Sequence, residues 1–135
     1  MAEALARHLA SDVIEVASAG LAPFGEIVWP TREALAEIGV GLDQQYSKPV
    51  RPEALEAADL IVNLSGHSLE SVVRGPGRSI EEWKVTDPYG ENVEVYRRIR
   101  DEIAARVREL AERLRATQSE QNRARVTDDL DGEAP

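Results

Sequence analysis

Asp87 lies in TDPYG, with Pro88 after it and Gly90 closing the stretch. A carboxyl on such a loop could protonate a leaving group beside a cleft. Asp-Pro followed by Gly is also ordinary turn chemistry, and spacing alone favours the plain turn. Aromatic residues make up only 4% of the chain, so their placement carries weight. Phe24 and Trp29 fall in SAGLAPFGEIVWP, and Tyr89 follows Asp87 by two residues. Core packing and the wall of a pocket for a flat substrate are both open readings of these three. In LSGHS, Ser65 and Ser68 flank His67, but neighbours in sequence seldom form a nucleophile–base triad. Helix capping is the better reading of Ser65. RGPGRS, residues 74–79, lacks the Lys-Ser/Thr ending and the apolar strand that a phosphate loop needs, and reads as a surface turn.

Composition removes several classes of chemistry. The chain has no cysteine, so as given it holds no disulfide, thiolate nucleophile or cysteine-ligated zinc. His8 and His67 stand far apart without a matching carboxylate cluster. No metal and no cofactor is expected. A net charge of −9 argues against nucleic acid as a partner. It leaves room for a small anionic substrate in a locally positive site. No apolar run approaches a membrane span and nothing resembles a signal peptide, which makes the cytoplasm the default location and the membrane no partner. With 42% hydrophobic and 30% charged residues over 135 positions, one globular domain is expected.

The elements that must position these residues follow from periodicity. Met1 to Ala10 predicts an amphipathic helix, with Leu5 and Leu9 on one side and Glu3 and Arg7 on another. VIEV, 13–16, predicts a short buried strand. Pro30 leads into TREALAEIG, where Leu35 and Ile38 share a face and Gly39 supplies the stop. RPEALEAAD predicts a short helix running into LIVNL, a five-residue apolar strand; GHSLESVV predicts another short helix. IEEWKV predicts a strand ending at TDPYG. Tyr96, Ile99, Ile103, Val107, Leu110 and Leu114 form one stripe on a long terminal helix, whose Glu and Arg residues read as a solvated surface. From about Thr117 the pattern ends, so residues 1–115 form the domain and 116–135 a polar, acidic tail, expected to be mobile. The order predicts a three-layer α/β/α sandwich with a mostly parallel sheet. Ligands of such sheets sit at the carboxyl ends of the strands, near helix N-termini. A helix that begins at Met1 has no N-cap and no strand feeding it, and its bare N-terminus suits an anion.

Several segments together resemble the low-molecular-weight protein tyrosine phosphatases and the related bacterial arsenate reductases. MAEALARHLA resembles the helix that directly follows that family's phosphate loop. VIEVASAG is similar to its second strand and Ser-Ala-Gly turn. PTREALAEIGVGLDQQYSKPVRPEALEAADLIVNL is similar to its middle, and WKVTDPYGENVEVYRRIRDEI to its Asp-Pro loop and last helix. The likeness covers roughly residues 1–114. It implies a reaction in which a cysteine opens a loop of cysteine, five residues, arginine and serine, and attacks phosphorus. An aspartate in the Asp-Pro loop then protonates the leaving phenol and later helps water release the phosphate. Carried over by motif, Asp87 is that acid, Tyr89 is the aromatic lining the pocket, and Ser18 is the serine bracing the phosphate loop. Trp29 and Phe24 have no secure counterpart.

The first family strand, the cysteine and the arginine precede a Met-Ala-Glu such as Met1-Ala2-Glu3, and none is present. The resemblance therefore implies a truncated phosphatase, acting by kind on a phosphorylated protein or small phosphoester, that is catalytically incompetent as given. The alternative is a non-catalytic binding or regulatory module, in which two chains share sheet edges as a homodimer. Arsenate reduction ranks lower. Thioredoxin-coupled members use further cysteines around LIVNL, where this chain has Ser65.

Overall fold

The structure, a computed structural model, describes residues 1–19, 28–42, 51–69, 73 and 79–132. Four helices and two strands are found among them: α1 (Ala2–Ala10), α2 (Trp29–Ala36), α3 (Pro52–Ala57), β1 (Leu60–Asn63), β2 (Ser79–Glu82) and α4 (Val93–Gly132). The fold is α/β with a parallel sheet. Leu60 pairs with Ser79 and Asn63 with Glu82 in β1 and β2. Trp83 N–H extends the pair by donating to the Asn63 carbonyl at 3.0 Å.

The core is built on α4. The stripe residues Tyr96, Ile99, Ile103, Val107 and Leu110 are all buried, as the three-four spacing predicts. Ala4, Leu5, Ala6 and Ala10 of α1 pack into the same cluster, and Leu5 is wholly buried. Small alanines on that face let the two helix backbones come close. The other side of α1 departs from expectation: Glu3, read as a polar-face residue, is 6% exposed and ion-paired with Arg7 at 3.4 Å.

Helix α2 begins with Pro30 in its first turn and stops as expected at Gly39. Gly39 N–H donates to Ala36 O (3.0 Å) and Val40 N–H reaches back to Leu35 O (2.9 Å), with Gly39 at φ +76°. That pair of bonds is a Schellman termination, which places a left-handed residue just past the helix. Leu35 and Val40 are both buried, whereas Ile38 is 41% exposed and does not share the buried face of Leu35. The 100° step per residue turns Ile38 away once the helix ends.

Two expected elements are corrected. Residues 11–13 form a turn and 14–19 run without a ladder partner among the described residues, so VIEV is not a strand here. A strand needs a hydrogen-bonded neighbour as well as an apolar sequence. Residues 66–69 of the expected helix GHSLESVV are bends and irregular backbone; Val73 N–H does bond to Leu69 O at 2.8 Å, and 70–72 lie outside the described residues. The RGPGR stretch at 74–78 also lies outside them, as does Phe24. The backbone of α4 stays helical from Thr117 to Gly132, through the stretch read as a separate tail.

The arginines of α4 are not a plain solvated surface. Arg97 Nε donates to both carboxylate oxygens of Glu37 at 2.9 Å. Arg100, 9% exposed, donates to Ala34 O at 2.8 Å and to Glu37 at 3.2 Å, capping the carbonyl end of α2. Arg113 reaches Glu81 of β2 at 2.7 Å, and Arg115 grips both oxygens of Asp12 at 2.8 Å. Together these bonds fasten α4 to the end of α2, to β2 and to the turn after α1.

Candidate active site

Both strands end at the same side of the sheet, and an open cleft of about 640 Å³ lies beyond their carboxyl ends. One wall comes from the turn at 64–68 after β1, the other from residues 82–86 after β2. Parallel sheets place ligands there because the loops leaving the strands diverge at that edge. Thr86 is on the second wall, and Asp87 is the next residue.

Asp87 stands exposed at the start of a compact turn. Its Oδ1 accepts the Tyr89 backbone N–H at 3.0 Å, an Asx turn. Glu91 N–H closes onto Pro88 O at 2.9 Å, with Gly90 at φ +82° supplying the left-handed position. Asn92 then caps α4, its Oδ1 accepting Val95 N–H at 3.2 Å. The turn is held by its own bonds and runs into the α4 cap, one residue beyond the cleft wall. The geometry is that of the plain turn.

Tyr89 is 59% exposed and shares the turn with Asp87. Beneath them Tyr96 is buried; burial raises its phenol above the ordinary value, and the charges of Asp87 and Tyr89 push the same way. Ser18 stands exposed on the irregular stretch after α1, a separate segment from Asp87 and Tyr89. The structure thus joins two of the three expected site residues directly. Trp29 is 65% exposed, so of its two open readings core packing is ruled out.

Sequence reasoning missed Asn63. It is 4% exposed at the end of β1, and its amide joins both cleft walls. Nδ2 donates to His67 O (2.7 Å) on one wall and to Glu82 Oε2 (2.9 Å) on the other. Oδ1 accepts the backbone N–H of Ser65 (3.0 Å) and its hydroxyl (2.7 Å). Ser65 Oγ in turn accepts His67 N–H at 3.1 Å, so the serine closes a turn instead of capping a helix. A polar residue inside an apolar strand was the available signal, since burial there requires partners.

Trp83 was missed as well. Its indole is buried, 6% exposed, with Nε1–H donated to Glu81 at 2.9 Å. That bond, with Arg113, holds the Glu81 carboxyl below the usual range. Among the described residues no group of three or more His, Asp and Glu side chains converges on a metal position, and no helix is long and apolar enough to cross a membrane.

Residues 1–120 match the family model described as low molecular weight phosphotyrosine protein phosphatase. Arsenate reductase 1 of Bacillus cereus is 34% identical over 83% of this chain and 84% of its own length. A protein-arginine-phosphatase of Bacillus subtilis is 30% identical over 85% and 87%. In structure, a low molecular weight protein tyrosine phosphatase from T. tengcongensis superposes with a TM-score of 0.74 at 26% identity, covering 84% of this chain and 88% of that one. The low rank given to an arsenate reductase relationship is thereby corrected: it is as well supported as the phosphatase one.

Proposed function

The chain belongs to the low-molecular-weight phosphotyrosine protein phosphatase family, and we propose that it carries that family's phosphomonoester site without the group that starts the reaction. Asp87 is the general acid, held by its Asx turn at the cleft rim to deliver a proton to the leaving oxygen. Tyr89 lines the approach, and Ser18 braces the phosphate side. Substrates of this class are phosphorylated proteins or small phosphoesters; the protein-arginine-phosphatase relative supports the former. The observation that carries the reading is Asp87 standing one residue beyond the cleft wall at the carboxyl ends of a parallel sheet.

The resemblance requires a cysteine thiolate, and the chain has no cysteine. Neither phosphate transfer to a thiol nor thiol-coupled arsenate reduction can begin in the chain as given. The arsenate reductase relatives favour that activity as a second reading; Ser65 after β1 counts against it, because a thiol there would serve the redox step. A non-catalytic module that pairs through a sheet edge ranks third, and draws only on the two-stranded ladder of β1 and β2.

A graft tests the acid assignment. A strand and a loop of cysteine, five residues, arginine and serine, joined ahead of Met1, is expected to confer hydrolysis of p-nitrophenyl phosphate. Asp87→Asn in that protein then lowers kcat by about 10²- to 10⁴-fold. An Asp87→Asn protein with unchanged kcat removes Asp87 from the mechanism.

A further inference from the structure

We propose that Asn63 is a positioning residue of this site: its amide clamps the two cleft walls together and so sets where the Asp87 turn stands. The proposal deepens the assignment of Asp87 and rests on it for its catalytic meaning, but the clamp itself is a matter of geometry. A single NH₂ group reaches both walls, His67 O at 2.7 Å and Glu82 Oε2 at 2.9 Å. The same amide's oxygen holds Ser65 through two further bonds, so the turn at 65–67 cannot shift without breaking the hub. Trp83 N–H on the Asn63 carbonyl binds the second wall again through backbone. From Glu82 the wall runs four residues to Thr86, and the acid follows. A side chain that is 4% exposed and spends its donors across a cleft does more than satisfy itself.

Asn63→Asp is the informative change. It keeps the shape and both acceptor contacts to Ser65, and replaces the donating nitrogen by an oxygen that faces Glu82 and the His67 carbonyl. Two carboxylates then oppose each other and repel once both ionise. The charged groups around the hub are Glu82, Lys84 and His67 at the cleft, with Glu81 and Arg113 behind Trp83.

Trp29→Phe leaves Trp83 as the single tryptophan and the reporter of the second wall. In that background, Asn63→Asp is expected to raise acrylamide quenching of Trp83 about twofold at pH 8, and to return toward the parent as the pH falls toward 5. Adding Glu82→Gln, whose amide can donate to the introduced carboxylate, removes that pH dependence. The Tyr89 backbone amide, which bonds to Asp87, shifts in parallel in ¹H–¹⁵N spectra. If Asn63→Asp does not fold, Glu82→Ala at the exposed end of the clamp gives the same reading, with raised quenching and a moved Tyr89 amide. Unchanged quenching in these proteins overturns the clamp. Changed quenching with a still Tyr89 amide overturns the positioning of the acid. Neither result depends on turnover, so each is separable from failure of the phosphatase reading.

Discussion

Trp83 shows how much one residue can hold together in a domain with few aromatics. Its ring fills the core, its backbone N–H prolongs the β1–β2 ladder, and its indole N–H shares Glu81 with Arg113 of α4. Trp83→Phe keeps most of the packing and loses one hydrogen bond to a charged acceptor. A loss of about 1.5–3 kcal/mol in urea unfolding is expected, against about 3–5 kcal/mol for Trp83→Ala. Equal losses in the two would mean that the indole hydrogen bond matters and the ring's packing does not. The residue was hard to find in sequence because IEEWKV surrounds it with charge, so no apolar alternation marks it as core. Asp87 and Tyr89 were easier, since a turn chemistry of Asp-Pro-Tyr-Gly is local and survives without tertiary information. Asn63 needed the second strand, because one of its four side-chain bonds runs to Glu82, 19 residues away in sequence.

At the scale of elements, stops and stripes were legible, and tertiary pairings were not. The α4 stripe and the Gly39 stop follow from local rules: spacing, and a left-handed position that only glycine takes without strain. A paired test follows from two nearby glycines. A Cβ at either Gly39 or Gly41 meets nothing within 4 Å, but only Gly39 has a positive φ, +76°. Gly39→Ala is therefore expected to destabilise by about 1–2 kcal/mol from backbone strain alone. Gly41→Ala should stay neutral or stabilise by about 0.4–1 kcal/mol, by narrowing the unfolded chain. Similar melting temperatures for the two would contradict the Schellman assignment. VIEV failed for the opposite reason: its apolar composition is local, but a strand exists only where another backbone pairs with it. The arginines of α4 share that difficulty: Glu37, Glu81 and Asp12 lie 63, 32 and 103 residues away in sequence from Arg100, Arg113 and Arg115, beyond any helical spacing rule.

For the whole molecule, those same pairs set the response to acid. Arg97, with Arg100 adding to it, holds the Glu37 carboxyl below its usual range; Arg115 does the same for Asp12, and the Trp83 N–H with Arg113 for Glu81. Each group is a stronger acid folded than unfolded. Their stabilisation is therefore complete above the unfolded values, about 4 to 4.5, and is lost as pH falls through the lower folded values. The urea midpoint is expected to hold from pH 7 to 5 and to drop below about 4.5. Glu37→Gln lowers the midpoint at pH 7 and flattens the acid limb; an acid limb as steep as the parent's would remove Glu37 from the account. The central claim is larger than any of these pairs: a family fold in which Asp87 is proposed as the acid, in a chain that as given has no thiol for it to serve. Hydrolysis of p-nitrophenyl phosphate by the purified chain, with and without vanadate, tests it most directly. The predicted result is a rate no higher than buffer. Vanadate-sensitive turnover that disappears in Asp87→Ala would contradict it.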